Sequence, residues 1–320
     1  MPVPANPVDA TTLAVNLALA ADLRVVVDAL DAAGIDVVVL KGIPLTMRLF
    51  GSLGARSMID NDLLVRRGDA ERAATVLGHL GYESIDDRKL ANQLMLDYEF
   101  RMRRPLPGGG FLCAELHWTP FSQLLYPVAE EQVWSRVEPY SWDGRTLRVF
   151  DRPLTLVHLA AHFMQSDFAI PQVLRDVATA WNRWFADTTG QPAIDLARDL
   201  GLVHALDFAL RSAADLGMLE TSAPAIGSRR ADRVRRLLPA EKLWTPRPVP
   251  DYERWFLALL LANPRRVPRW LWYAMFPPLE NLAAIEGAPV SSALRWRYLL
   301  RPFRAFARGV DRRRPRIVRQ

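Results

Sequence analysis

The segment that decides the fold reads Arg56-Ser57-Met58-Ile59-Asp60-Asn61-Asp62-Leu63-Leu64-Val65. Side chains of a strand alternate between its two faces, so Asp60 and Asp62 share one face while Leu63 and Val65 lie on the other. Two carboxylates this close repel each other unless a cation lies between them, and such oxygen ligands suit Mg²⁺. The pair therefore predicts half of a metal site. A polar turn that enters a strand is the alternative interpretation.

The residues before this segment predict a strand, a glycine turn and a helix. The β-branched run 35–40 is typical of a strand, and Lys41-Gly42 follows it directly. Pro44 then stands where a first helical turn accepts proline. A helix start beside a glycine offers free N–H groups and a positive dipole to a phosphate, and Lys41 adds a full charge. This turn is therefore a candidate phosphate site.

A third acid lies further along the chain, in Glu115-Leu116-His117-Trp118. The apolar segment 111–118 follows three glycines, and strand alternation places Glu115 and His117 on one face. Residues 92–104 alternate loosely and are predicted to form a hairpin with this segment. The hairpin would bring Glu115 beside the first two acids.

These motifs resemble the nucleotidyltransferase superfamily typified by DNA polymerase beta, and more closely a bacterial family of uncharacterised nucleotidyltransferases. The matching residues are Leu40-Lys41-Gly42, Arg56, Asp60-Asn61-Asp62-Leu63-Leu64-Val65 and Glu115-Leu116-His117-Trp118. The resemblance covers about residues 20 to 210 and implies an α/β (α+β) fold, in which a small mixed-sheet core precedes an α-helical domain. It implies that Asp60, Asp62 and Glu115 are catalytic and bind Mg²⁺ or Mn²⁺, with an NTP such as ATP as the donor.

The candidate nucleotide-binding residues lie around these acids: they are Lys41, Gly42, Arg56, Ser57 and His117. Lys41 and Arg56 are expected to contact phosphate, although Arg56 could instead be the ion-pair partner of the two aspartates. His117 could touch the metal or a phosphate, or be a hydrogen-bonded histidine of a half-buried strand.

Two positions depart from the family pattern. Gly42-Ile43 stands where the superfamily has Gly-Ser, so the phosphate contact of that serine is expected from Lys41, Ser52 or Ser57. Asn61 stands between the aspartates, where an apolar residue is usual, and strand alternation turns it toward the core.

Composition places further bounds on the protein. A single cysteine, Cys113, excludes an internal disulfide framework and a zinc ribbon, which fits a cytoplasmic location. The N-terminus lacks the basic region of a signal peptide, and the apolar runs are too short for a membrane span. We therefore expect a soluble or peripheral protein.

The formal charge of +6 is concentrated at the C-terminus. Residues 295–320 hold ten arginines against one aspartate, which leaves the rest of the chain mildly acidic. This distribution argues against nucleic acid as a partner. A solvated tail is one interpretation, and a peripheral membrane or polyanion contact is the other.

We predict three parts: a nucleotidyltransferase-like domain over 1–150, an α-helical domain over 151–294 and an arginine-rich tail over 295–320. His158 and His162 are spaced i, i+4 on a predicted helix, where they could bind zinc or, as we favour, pack on the catalytic domain. Asp176 on the next helix is a candidate contact for the acceptor or the base.

The sequence thus predicts a metal-dependent enzyme that transfers a nucleoside monophosphate from an NTP to a hydroxyl or phosphate, releasing pyrophosphate. A small molecule or a peptide is the expected acceptor. Two alternatives remain: a catalytically degenerate nucleotide-binding or scaffold protein, and a tRNA-directed nucleotidyltransferase.

Overall fold

The computed structural model describes residues 9–85, 90, 93–94, 97–166, 168, 170–243, 251–279 and 282–283, with residues 296, 298 and 300. The first element is the long helix α1 (Ala10–Ala32). Asp9 caps it, because its carboxylate accepts hydrogen bonds from the backbone N–H groups of Thr11 and Thr12 at 3.3 and 3.0 Å. In the sequence, the helical spacing of Leu23, Val26, Val27 and Leu30 predicts a helix from Asp22 to Ala33, so the predicted start was wrong and the helix begins earlier.

A five-stranded mixed sheet follows, in the order β1-β2-β5-β4-β3. Its central pair β2–β5 is parallel, and the other pairs are antiparallel. The predicted hairpin is present as β4–β5. The strands are β1 (Val37–Val39), β2 (Asp60–Val65), β3 (Glu83–Ser84), β4 (Glu99–Pro105) and β5 (Phe111–His117). The mixed α/β fold class predicted from the sequence is thereby confirmed.

Short helices and a second sheet complete this part of the chain. The helices are α2 (Gly42–Phe50), α3 (Ala70–His79) and α4 (Glu130–Trp134). A two-stranded antiparallel sheet pairs β6 (Val137–Trp142) with β7 (Arg145–Phe150). The turn residues Asp143-Gly144 predict that 146–150 is an edge strand or the link out of the domain, and this segment is the strand β7. No strand was predicted at β6, because Pro139 interrupts its pattern.

From Arg152 onward the described chain is helical, as the change of period predicts. The helices are α5 (Arg152–Gln165), α6 (Pro171–Trp184), α7 (Gln191–Asp199), α8 (Val203–Asp215), α9 (Arg229–Leu237), α10 (Ala240–Leu243), α11 (Asp251–Leu261) and α12 (Val267–Met275). None of the helices described is both long and apolar enough to cross a bilayer. The predicted arginine-rich tail lies outside the described residues, apart from 296, 298 and 300.

The two faces of the five-stranded sheet pack against different layers. We call the face that carries Leu63, Ala114 and Leu116 the back face, and it packs on α1 and α3. The front face carries Val38 and Leu64, and it shares a hydrophobic core with the helices from α5 onward. The helical layer therefore lies over the front face, where strand alternation also places Asp60, Asp62 and Glu115.

Candidate active site

The register of β2 and β5 brings the predicted acids together. In this parallel pair Asp62 lies directly opposite Glu115, and Asp60 lies opposite Cys113. His117, opposite Leu64, follows Glu115 on the same face. The front face therefore presents Asp60, Asp62, Glu115 and His117 side by side at the centre of the sheet.

Lys41 brings a positive charge to this group. It precedes α2, whose first residue Gly42 has a φ of +66°, a left-handed conformation that favours glycine. The turn directs the buried Lys41 side chain at Asp62, with its Nζ 2.9 Å from Asp62 Oδ1. On the other side, Lys41 Nζ lies 3.4 Å from Nε2 of His162 in α5. Lys41 thus links the sheet, the start of α2 and the helical layer.

His117 is buried among the acids, with 4% of its surface exposed. Its Nε2 lies 3.5 Å from Asp62 Oδ1 and 3.7 Å from Glu115 Oε2. Its Nδ1 lies 3.9 Å from Glu99 Oε2, and the Tyr98 ring stacks on the imidazole at a centroid distance of 6.0 Å. Glu99 and Tyr98 were not predicted as site residues. Strand alternation in β4 could have indicated Glu99, which is paired with His117.

The carboxylates of the site differ in proton affinity. Burial and the neighbouring charges of Asp62 and Glu115 raise the pKa of Asp60 to about 7. Burial, with the charges of Glu115 and Asp62, raises the pKa of Glu99 to about 7, although the contact with His117 opposes this shift. Burial also disfavours the ionised form of Asp62, but Lys41 and His117 outweigh it and hold the pKa of Asp62 well below its usual range. Asp62 therefore keeps its negative charge throughout the physiological pH range.

The pKa values of the basic side chains shift in two directions. Burial opposes protonation of His117, but its contacts with Asp62 and Glu115 and the charge of Glu99 raise its pKa to about 10. Burial likewise opposes the charge on Lys41, yet the three acids raise the pKa of Lys41. On α5, burial and the nearby Lys41 charge lower the pKa of His162 to about 3.

The donor set fits a divalent ion. Among the described residues, one group of three potential ligands has its ligand atoms within 4.8 Å of one another, and it comprises Asp62, Glu115 and His117. Asp60 is adjacent but is not part of this group. Two carboxylates and an imidazole are ordinary ligands for divalent ions in proteins. Three of the predicted site residues can thus hold one ion between them.

Arg56 forms a buried ion pair with a helix of the helical layer and not with the aspartates of β2. Its Nε donates a hydrogen bond of 2.8 Å to Asp176 Oδ2 in α6. Gln172 Nε2 donates to the other oxygen of Asp176 at 2.8 Å. The alternative in which Arg56 pairs with Asp60 or Asp62 does not appear among the described ion pairs. Arg56 therefore ties the segment before β2 to the helical layer.

The serines expected to replace the missing Gly-Ser contact lie at the rim. Ser57 is exposed. Ser52 is half-buried, and its Oγ accepts a hydrogen bond of 3.4 Å from the backbone N–H of Gly54. Neither serine forms a described contact with the acids, so a role for either in binding phosphate stays a prediction.

Asn61 faces the back of the sheet, as strand alternation predicts. It is 1% exposed, and its Nδ2 donates hydrogen bonds to Leu19 O at 3.2 Å and to Asp22 Oδ2 at 3.1 Å. Asp22 also accepts hydrogen bonds from Tyr82 and Arg104. The amide of Asn61 therefore has buried partners on α1. These partners explain why an amide stands where the family pattern usually has an apolar residue.

His158 and His162 do not form a zinc pair with a third ligand among the residues described. His158 is buried and packs edge-on against Phe121 and Phe150. Burial and the charge of Lys41 lower its pKa well below the usual value. Both histidines belong to the face of α5 that packs over the acids, as we favoured.

A mixed sheet with two acids on one strand, a third on the parallel neighbour and a lysine–glycine helix start has the layout expected of a nucleotidyltransferase core. The model of the family described as uncharacterised nucleotidyltransferase matches residues 9–217, and the chain belongs to that family. No curated protein matches the chain. Among solved structures, it is similar to an antigenic nucleotidyltransferase-like protein from Paracoccidioides brasiliensis. The identity is 15%, the match covers 62% of this chain and 94% of that chain, and the TM-score is 0.34.

Proposed function

We propose that the protein transfers a nucleoside monophosphate from an NTP to a hydroxyl or phosphate of a small-molecule or peptide acceptor, with release of pyrophosphate. The observation that carries this proposal is the parallel pairing of Asp62 with Glu115, which gathers the acids on one face beside Lys41. Membership of the nucleotidyltransferase family supports a transferase. The donor, the acceptor and the metal dependence are parts of the proposal.

Asp60, Asp62 and Glu115 are the residues that would hold Mg²⁺ or Mn²⁺. The excess of carboxylates on the front face supports this assignment, because such a group is stable when a cation lies within it. When bound, divalent ions neutralise the polyphosphate and stabilise charge on the attacking and leaving oxygens. Asp62 serves as a ligand at any physiological pH, because its pKa lies well below its usual range.

Lys41 and the start of α2 would hold the polyphosphate. The first N–H groups of a helix have no partner within the helix and carry its positive dipole, so they attract a phosphate. Lys41 reaches both this helix start and Asp62, so one ammonium group orients the phosphate chain toward the acids. Lys41 would also take over the phosphate contact that a serine at residue 43 makes in the superfamily pattern.

Arg56 and Asn61 would position the strand that carries Asp60 and Asp62. The Arg56–Asp176 pair fixes the segment that enters β2, and Asn61 anchors the residue between the two aspartates to α1. Catalysis by positioning depends on such anchors, because the phosphoryl group and the acceptor must be held in line. Ser57, exposed beside Arg56, is a candidate contact for the outer phosphates.

A labelling experiment tests this function. The full chain is incubated with each of four labelled NTPs, a divalent ion and a cell extract that serves as the source of acceptors. We expect one NTP to label an acceptor, and Asp62→Asn to lower the rate by about 10³-fold or more, since the metal contributes several kcal/mol to the transition state. Asp195→Asn, in the exposed part of α7, is the matched control.

Equal labelling by the Asp62→Asn variant and the wild type would contradict the proposal. Calorimetry separates the scaffold alternative: a degenerate protein binds the NTP equally well with and without divalent ions. Asn61 no longer supports that alternative, because its amide has buried partners on the back face.

A further inference from the structure

The imidazole of His117 is buried without a hydrogen-bond partner among the residues described. Neither Nδ1 nor Nε2 forms a hydrogen bond of normal geometry, although 96% of the residue is removed from solvent. A buried polar group in this situation destabilises a protein. Native proteins pair nearly all such groups, so an unpaired one at the centre of an acidic site indicates a missing ligand.

The ring nitrogen that points into the site has the spacing of a metal ligand. His117 Nε2 lies 3.5 Å from Asp62 Oδ1 and 3.7 Å from Glu115 Oε2. Ligands about 2.1 Å from one ion are about 3.0 Å apart at octahedral angles and about 3.4 Å apart at tetrahedral angles. Both distances from Nε2 are close to the tetrahedral value, and the ligand atoms of all three residues lie within 4.8 Å of one another, so a local rearrangement would let them bind one ion.

On the other side of the ring a carboxylate lies near Nδ1, beyond hydrogen-bond distance. Glu99 Oε2 lies 3.9 Å from Nδ1, so a carboxylate faces the nitrogen that would carry the proton. Tyr98 stacks on the ring with an interplanar angle of 27°, which fixes the ring plane. A carboxylate behind the histidine selects the tautomer that leaves Nε2 free for the metal.

We propose that His117 Nε2, Asp62 and Glu115 together bind one divalent ion, and that the imidazole makes this site prefer a first-row transition ion to Mg²⁺. The inference rests on the proposed function only in that the ion lies among the same acids. Mg²⁺ takes oxygen ligands almost exclusively, whereas Mn²⁺ and Zn²⁺ accept imidazole nitrogen together with carboxylates. Asp60, outside this group of three, would serve a second ion that the NTP brings with it.

The test uses Mn²⁺ as the probe and the full chain without nucleotide. We expect electron spin-echo modulation of bound Mn²⁺ to show coupling to a directly bound ¹⁴N nucleus in the wild type and not in His117→Gln. We also expect His117→Gln to lower the affinity for Mn²⁺ by about tenfold or more, with a change for Mg²⁺ of less than about threefold. His162→Gln, a second buried imidazole at the site, is the matched control and should keep the coupling.

Three results would overturn the inference: no ¹⁴N coupling in the wild type, coupling that persists in His117→Gln, or coupling that disappears in His162→Gln. If His117→Gln fails to fold, the wild-type spectrum and the His162→Gln spectrum decide alone. Failure of the proposed function is a separate outcome. A protein that transfers no nucleotide but shows the coupling keeps the metal site, and one that transfers nucleotide with Mg²⁺ without the coupling loses only this inference.

Discussion

The two faces of the five-stranded sheet bury charge in opposite ways. On the back face one carboxylate, Asp22, accepts hydrogen bonds from Asn61, Tyr82 and Arg104. On the front face the four carboxylates of Asp60, Asp62, Glu99 and Glu115 surround Lys41 and His117. Donors outnumber acids on the back face, and acids outnumber cations on the front face. The charge of Asp22 on the back face is therefore balanced by Arg104 within the protein, whereas the front face has a negative charge that a bound cation would balance.

This difference comes from a single strand, because neighbouring residues of β2 serve opposite faces. Asp60 and Asp62 point forward and Asn61 points back. A change at Asn61 should therefore lower stability and leave metal binding unchanged, while a change on the front face should alter stability, charge balance and metal binding together. Three predictions test this separation, from the largest expected effect to the smallest.

The largest effect is expected at Lys41. Lys41→Met removes the ammonium group that pairs with buried Asp62 and leaves the acids without it. Breaking a buried ion pair from one side should lower the free energy of unfolding by about 4 kcal/mol, measured by urea denaturation without divalent ions. Because the ammonium also repels a metal, added Mn²⁺ should stabilise Lys41→Met more than it stabilises the wild type.

Lys242→Met, at an exposed position of α10, is the control for losing a lysine elsewhere. A loss below about 1 kcal/mol would show that the Lys41–Asp62 pair behaves as a surface salt bridge. Equal stabilisation of both proteins by Mn²⁺ would show that Lys41 and the ion do not compete for the same charge. Either result would remove the contrast between the two faces.

The second effect is expected on the back face. Asn61→Leu keeps the size of the side chain but removes one donor from Asp22 and one from Leu19 O. We expect a loss of about 2 kcal/mol in the free energy of unfolding, because a buried carboxylate and a buried carbonyl each lose a partner. The affinity of the folded protein for Mn²⁺ should be nearly unchanged.

A double-mutant cycle sharpens this result. Tyr82→Phe removes another donor to the same Asp22 carboxylate, so its effect should not add to that of Asn61→Leu. Residues that share one hydrogen-bond network show coupling energies of about 0.5–3 kcal/mol. Additive losses would mean that the two donors act independently, and the back face would then be a set of separate contacts.

The extent to which this site could be predicted differs between its local and its distant parts. The acids of β2 and the Lys41-Gly42 turn were predicted from neighbouring residues, because strand alternation and helix starts are local properties. The partner of Asn61 lies 39 positions earlier, and that of Arg56 lies 120 positions later. Such pairs depend on how α1 and α6 pack, which no local pattern encodes. The described contacts of Arg56 do not bear on its role in binding phosphate, which stays a prediction.

The smallest predicted effect concerns pH. His162 packs over the front face, and burial together with the Lys41 charge lowers its pKa to about 3, against 6.5 for an exposed histidine. Between these values the unfolded chain binds a proton that the folded chain does not. The contribution of His162 to stability is therefore complete above pH 6.5 and is lost as the pH falls. From about pH 7.5 to about pH 5.5 this loss amounts to about 1.4 kcal/mol.

The pH dependence of stability must be compared between the wild type and a variant, because the front-face acids change stability with pH in the direction opposite to His162. The pKa values of Asp60 and Glu99 are raised to about 7, so these groups bind protons in the folded state and stabilise it as the pH falls toward their unfolded values. Their effect cancels in the difference between the wild type and His162→Gln. We expect that difference to shrink by about 1.4 kcal/mol from about pH 7.5 to about pH 5.5, in thermal or urea unfolding. The exposed His79→Gln variant should keep the wild-type profile. A constant difference would mean that His162 has the same pKa in the folded and the unfolded protein. A difference that grows as the pH falls would mean that His162 is protonated in the folded protein, so that α5 would add a positive charge beside Lys41.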